Sequence, residues 1–376
     1  MNPGQAMNTE IDQRYMRLAL NEAKKGLGRT SPNPCVGSVI VKNGQVIGRG
    51  YHKKAGNPHA EIHALAAAGT ESAGATLYVT LEPCSHTGRT PPCCEAVARS
   101  GVTRVVVGME DPNPLVQGQG IRYLLDRGIT VTSGVLEEQC RRLNWPFIKH
   151  ITTGLPWVVM KAGMSLDGRI TYNGRQTGWM TGGETSAVVH RLRDRYDAIL
   201  VGVGTVLIDD PALTTRLPGR NKGRDAHRVI LDSGLSISEQ AKVLSGESTA
   251  RTFIFCSAEA DAAKCARLEK RGICIHRVER DVGGGVDIQQ VLRQLGGQGI
   301  TSLLVEGGAK VHGSMLNQRL YDYAHLFYAP VFAGENGLPF QTGYTSSGRD
   351  TAHRLTEVSY RRCGEDMMVS GKLIYR

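Results

Sequence analysis

Asn57-Pro58-His59-Ala60-Glu61-Ile62-His63-Ala64-Leu65-Ala66-Ala67-Ala68 decides how the first half of the chain is read. Its proline-led, alanine-rich text predicts a helix over 58–68, with Asn57 as cap and Pro58 in the first turn, where proline is best tolerated. Upstream, residues 14–26 carry apolar side chains at helical spacing. Residues 36–41 and 45–50 then form a hairpin around Asn43-Gly44, a favoured tight-turn pair. Downstream, strands over 76–80, 104–108 and 129–132 alternate with helices over 93–100 and 119–127. Alternation of this kind implies a sheet covered by helices. Residues 1–150 are expected to form one α/β domain.

A second α/β domain is expected over 151–376. Strands are predicted near 157–161, 198–201, 228–231, 252–255, 273–276, 302–305, 324–328 and 367–374, with helices near 185–196, 262–271, 288–295 and 310–318. The chain of 376 residues is long enough for two such cores. Its 40% hydrophobic and 21% charged content excludes a disordered or collagenous protein. Apolar runs stay strand-sized, far below the roughly 20 residues of a membrane span. No early segment reads as a secretion signal, so a cytoplasmic, soluble protein is expected. The net charge of +10 divides evenly, with 17 basic against 12 acidic residues in 1–150 and 28 against 23 in 151–376. There is no concentrated basic stripe of the kind that nucleic-acid binders use, so no nucleic-acid partner is expected. Nine cysteines, an odd number in a long chain, argue against a disulfide framework.

Three cysteines stand apart. Pro58-His59-Ala60-Glu61, Glu82-Pro83-Cys84-Ser85-His86 and Pro91-Pro92-Cys93-Cys94 supply one imidazole and two thiols, a set that suits tetrahedral Zn²⁺. Three protein ligands leave a fourth position for water, the mark of a catalytic zinc. His59 and Glu61 lie about 200° apart on an ideal helix, so they converge only where the backbone is still entering the turn. Pro91-Pro92 opens the next helix and puts Cys93 at its positive end, which favours the thiolate. Glu61 is then free to move protons between water and a leaving nitrogen. The bland alternative is a structural zinc closed by Cys94 or His86; adjacent cysteines rarely reach one tetrahedron, and Glu61 would have no role. His63 is read as a packing residue.

His-x-Glu followed by Pro-Cys resembles the zinc nucleobase deaminases, except that eight residues rather than two separate Cys84 from Cys93. That longer gap, together with Thr30-Ser31-Pro32-Asn33-Pro34-Cys35-Val36-Gly37 and Asp111-Pro112-Asn113-Pro114, resembles the deaminase half of the bacterial bifunctional riboflavin biosynthesis family, RibD. The resemblance implies a cytidine-deaminase-like domain acting on 2,5-diamino-6-ribosylamino-4(3H)-pyrimidinone 5′-phosphate. It gives zinc to His59, Cys84 and Cys93, and proton transfer to Glu61. It also implies a substrate pocket lined by Asn33, His52, His86 and Arg89.

The second half resembles the reductase partner of the same family. Lys161-Ala162-Gly163-Met164-Ser165-Leu166-Asp167-Gly168-Arg169, residues 201–216 and Val305-Glu306-Gly307-Gly308 carry the likeness. No Gly-x-Gly-x-x-Gly fingerprint is present, so an ordinary dinucleotide fold is not indicated. The resemblance implies a dihydrofolate-reductase-like domain that reduces the ribose to a ribityl chain with NADPH. Gly163, Trp179, Thr205, Asp209, Ser233 and the run Gly308, Ala309, Lys310, Val311, His312, Gly313 and Ser314 would hold NADPH. Thr177, Arg193, Leu213, Arg216 and Glu306 would contact substrate. Lys161, Asp209 and Glu306 are the candidates for ribose positioning and proton transfer. A homodimer or homotetramer is the implied assembly. The readings weighed against this one are a deaminase of RNA or free nucleobases, and a zinc module that senses NADPH without turnover.

Overall fold

The alternation of strands and helices folds, in the computed structural model, into two units, Met1–Gly154 and Leu155–Arg376. The structure describes residues 3–85, 92–173, 180–217, 219, 223–245 and 248–376.

In the first unit, α1 (Pro3–Lys24) precedes the hairpin of β1 (Gly37–Lys42) and β2 (Gln45–Tyr51). Then come α2 (Ala60–Ala68), β3 (Thr76–Val79), α3 (Cys93–Arg99), β4 (Arg104–Val107), α4 (Gln119–Leu125), β5 (Thr130–Thr132), α5 (Glu137–Leu143) and α6 (Trp145–Thr153). The sheet order is β2-β1-β3-β4-β5; β1 runs antiparallel to both neighbours, and β3, β4 and β5 are parallel. Asn43 and Gly44 both adopt positive φ, 50° and 76°, as the tight hairpin turn requires. Helix α2 rests directly on β2. A Cβ on Gly50 would lie 2.2 Å from the Ala60 carbonyl oxygen, and one on Gly48 would lie 2.3 Å from that of Ala64. Glycine at both places lets the helix approach the strand and fixes the height of its first turn.

Three features differ from the sequence reading. Helix α1 begins at Pro3 rather than near residue 14; Tyr15 and Met16 start the apolar side chains that it buries among residues 9–24. Helices α5 and α6 were not expected. Both are short, seven and nine residues; only Cys140 of α5 is buried, and α6 lays a half-buried Ile148 on the core. Helix α2 starts at Ala60, with His59 rather than Asn57 at the capping position.

In the second unit the elements are β6 (Trp157–Met164), α7 (Gly183–Arg195), β7 (Ala198–Gly202), α8 (Val203–Asp209), β8 (His227–Leu231), β9 (Thr252–Cys256), α9 (Ala262–Lys270), β10 (Cys274–Arg277), α10 (Ile288–Gly297), β11 (Ser302–Gly307), α11 (Ala309–Asn317), β12 (Tyr323–Tyr328), β13 (Arg354–Cys363) and β14 (Asp366–Ile374). Nine strands lie in the order β10-β9-β8-β7-β11-β6-β12-β14-β13, parallel up to β12 and antiparallel at β14 and β13. The central strands are continuous apolar runs because helices cover both faces of a parallel sheet. From β7 the chain steps outward through β8, β9 and β10, then returns to place β11 between β7 and β6. Ligands of such sheets bind beyond the strand carboxyl ends at this reversal. The sequence reading missed β13, whose side chains are mostly exposed, and α8, which leaves β7 without an intervening turn.

Among the described residues no helix is long and apolar enough to cross a membrane. All nine cysteines are free thiols.

Candidate functional site

Pro58 and His59 stay extended before α2, with His59 at φ −75° and ψ 170°. The imidazole is therefore released from the helix face and meets Cys84, just beyond β3, and Cys93, which opens α3. His59 Nδ1 lies 3.1 Å from Cys93 Sγ and 3.5 Å from Cys84 Sγ. The three ligand atoms all fall within 4.8 Å of one another, the one such group among the described residues. Ligands at zinc bond lengths in a tetrahedron stand about 3.5–3.8 Å apart, so this donor set fits zinc in both chemistry and spacing.

The two thiols are not alike. The Cys84 thiol is pulled down by a hydrogen bond from the Cys93 thiol, against its own burial and with help from His59. Cys93 is pushed far up by Cys84, by burial and by the nearby Glu61. The Cys93 backbone N–H, at the start of α3, donates to Cys84 Sγ at 3.3 Å. Cys94 is not a member of the group and lies in the hydrophobic core, where burial pushes its thiol up to about 11. His63 is likewise not a member.

Glu61, in the first turn of α2, is 3% exposed. Its carboxyl is within hydrogen-bond reach of Cys93, and burial raises its pKa to about 7 despite the opposing charge of His59. A carboxyl in that range exchanges protons readily at neutral pH. His52, buried beside His59, has Nδ1 3.3 Å from the Pro58 carbonyl and Nε2 3.2 Å from Asn33 Nδ2. It therefore holds the Asn33 amide, which is only half-buried. His86 and Arg89 lie outside the described residues.

Two contributors were not read from the sequence. Asn144 accepts from the Cys35 N–H at 2.8 Å and donates to the Cys35 carbonyl at 3.1 Å, fixing the backbone next to Asn33. Glu82 binds four backbone N–H groups from the segment after β4. The partners of both lie far off in sequence, so no local pattern announces them.

In the second unit, the strand carboxyl ends gather the other candidates. Lys161 and Gly163 lie on β6, Thr205 and Asp209 on α8, Ser233 just after β8, and Glu306 on β11. Gly307, at φ 117°, turns the chain into Gly308, which caps α11. A Cβ on Gly308 would lie 3.3 Å from Thr205 Oγ1, so the first turn of α8 touches the turn after β11. Glu306 joins Arg193 through two bonds, Nε to Oε1 at 2.7 Å and Nη2 to Oε2 at 2.8 Å, with Lys161 Nζ at 3.7 Å. Burial pushes Glu306 up, but Arg193 and Lys161 outweigh it and hold the carboxyl at about 2. Burial lowers the proton affinity of Lys161, partly offset by Glu306. His190, missed in the sequence, accepts from the Arg216 N–H at 3.2 Å. Burial first, then Arg193 and Arg216, lower its pKa to about 4.

Not every candidate faces outward. Arg193 also donates from Nη1 to the Thr214 carbonyl, whereas Arg216 is exposed. Leu213, at φ 50°, buries its side chain in the core with Ile199 and Val206. In α11, Lys310 is exposed and Ala309, Val311 and Ser314 are half-buried. His312 turns inward onto Tyr321 Oη at 2.7 Å, and Gly313 packs against Thr342. Thr177 and Trp179 lie outside the described residues.

Residues 9–109 match the family model of the cytidine and deoxycytidylate deaminase zinc-binding region, and residues 156–369 match that of the RibD C-terminal domain. The riboflavin biosynthesis protein RibD of Bacillus amyloliquefaciens is 44% identical over 324 residues, 86% of each chain. The structure of Acinetobacter baumannii RibD is 34% identical, with a TM-score of 0.88 over 97% of this chain and 99% of that one. That of a diaminohydroxyphosphoribosylaminopyrimidine deaminase/5-amino-6-(5-phosphoribosylamino)uracil reductase from Thermotoga maritima is 36% identical, with a TM-score of 0.85 over 98% and 100%. The chain thus belongs to the RibD family, the bifunctional deaminase/reductase enzymes of riboflavin biosynthesis.

Proposed function

We propose that His59, Cys84 and Cys93 hold one zinc ion and that Glu61 moves the proton in hydrolytic deamination of 2,5-diamino-6-ribosylamino-4(3H)-pyrimidinone 5′-phosphate. Zinc bound there supplies Lewis acidity and lowers the pKa of a water to about 7. Glu61 takes a proton from the attacking water and returns it to the departing amine nitrogen, so water enters and ammonia leaves. Asn33, its amide held by His52, reads the pyrimidine edge. The observation that carries this reading is the meeting of one ring nitrogen and two thiols beside a buried carboxyl.

In the second unit, the proposed reaction opens the phosphorylated ribose to a ribityl chain. NADPH, when bound, supplies the hydride. Glu306, locked by Arg193, positions the sugar hydroxyls, and exposed Arg216 meets the phosphate with its planar fork of donors. Lys161, its proton loosened by burial, delivers that proton to the ribose ring oxygen, with Asp209 as the second candidate carrier. Thr205, Ser233 and the turn at Gly308 would line the cofactor. A cytoplasmic homodimer or homotetramer goes with this reading.

Product mass analysis tests both halves. The substrate should release ammonia without NADPH and gain two hydrogens only when NADPH is added; reduction with no ammonia release would reject the assignment of the first unit. Zinc content tests the ligands. Cys93→Ser should lose bound zinc, whereas Cys94→Ser should keep it, and the reverse order would reject the ligand set.

A further inference from the structure

We infer that Glu82 is a positioning residue of the deaminase, its carboxylate fixing the direction in which Cys84 presents its sulfur. The inference rests on the zinc site proposed above. Glu82 is buried, and Oε2 accepts from the N–H groups of Asp111 and Gly118, both at 3.0 Å. Oε1 accepts from Gly120 at 2.8 Å and Ile121 at 3.1 Å. One side chain therefore ties the loop carrying Asp111-Pro112-Asn113-Pro114, and the first turn of α4, to the strand end that leads into the metal ligand. Helix α4 has no capping side chain of its own, since Gly118 stands at that position.

The tie reaches Cys84 through a stiff link. Pro83 has a fixed φ and no N–H, so a shift at Glu82 passes directly to the next residue. The Pro83 carbonyl is pressed against Gly120, where a Cβ would come within 2.0 Å of its oxygen. On the far side, the Cys84 carbonyl accepts from the Cys94 N–H at 3.2 Å. Cys84 is thus held between the Glu82 anchor and the start of α3, which also carries Cys93. Partners that orient a ligand from outside the metal shell set metal affinity as well as rate.

The test uses the full-length protein and a chromophoric chelator competing for zinc, well below the unfolding temperature. Glu82→Gln replaces one acceptor oxygen by an amide that faces N–H donors. It should weaken zinc affinity about 10–100-fold and lower kcat of deamination with KM little changed, excess zinc restoring part of the rate. Gly120→Ala keeps every acceptor, suits a helix, and pushes on the Pro83 carbonyl; it should weaken zinc in the same direction, and it gives the reading should Glu82→Gln not fold. Circular dichroism and reductase activity show that each variant is folded. Zinc affinity within about twofold of wild type in the folded variants, with only a lower melting temperature, would overturn the inference and leave Glu82 as a helix cap. A wild-type chain that takes no zinc would instead overturn the metal site itself.

Discussion

Glu61→Gln is expected to bind zinc as the wild type does, to keep its reductase activity, and to lose deamination by about 10²–10⁴-fold. The amide matches the carboxyl in size, so the packing at the start of α2 is undisturbed. Burial already disfavours the charged form of Glu61, as its pKa of about 7 records, so a neutral amide does not cost the fold a favourable charge. What disappears is the buried carboxyl within reach of Cys93, the group assigned to accept and return the proton. Ammonia release, zinc content by mass spectrometry and NADPH oxidation, measured on one preparation, separate the possibilities. Near-normal ammonia release would reject the acid/base role. Loss of zinc together with activity would mean that the carboxyl supports the ligands rather than the proton transfer.

The candidate metal site was legible because its chemistry is local. His59 and Glu61 sit two apart behind a proline, and Cys84 and Cys93 each stand beside one, so the sequence alone points to convergence at a helix start. The hairpin at Asn43-Gly44 and the apolar parallel strands were legible for the same reason. What escaped depends on partners distant in the chain or on weak patterning. Helix α6 is only nine residues long with its side chains half-buried at most, and β13 is mostly exposed, so neither stands out as a core element. The role of Glu82 depends on N–H groups 29 to 39 residues further on. Arg193, implied by the resemblance as a substrate contact, is brought by the fold to a carboxylate 113 residues away. No local rule could have announced that pairing.

That pairing makes Glu306→Ala the change with the largest expected effect on the second unit. Arg193, Glu306 and Lys161 have side-chain exposures of 12%, 6% and 18%, so solvent screens them little. Removing the carboxylate leaves a buried guanidinium that cannot shed its proton, at a cost of about 3–5 kcal/mol. Lys161 escapes part of that cost by becoming neutral, since burial already lowers its proton affinity. The pH dependence gives an independent measure. Glu306 titrates near 2 in the fold against 4.5 ordinarily, a difference worth about 3 kcal/mol. A depressed carboxylate pKa stabilises the fold above the unfolded value, so this contribution is complete above pH 4.5 and is lost as pH falls through about 2. Hydrogen exchange of the β6 and β11 peptides, read at pH 7 and again near pH 3, should show a wild-type advantage that shrinks with acid. NADPH oxidation should be abolished at neutral pH while ammonia release persists, because Glu306 lies outside the unit that carries the metal ligands. A variant as protected as wild type at pH 7 would show that Arg193 finds another partner. An advantage that does not change with pH would show that lost packing, rather than lost charge, sets the cost.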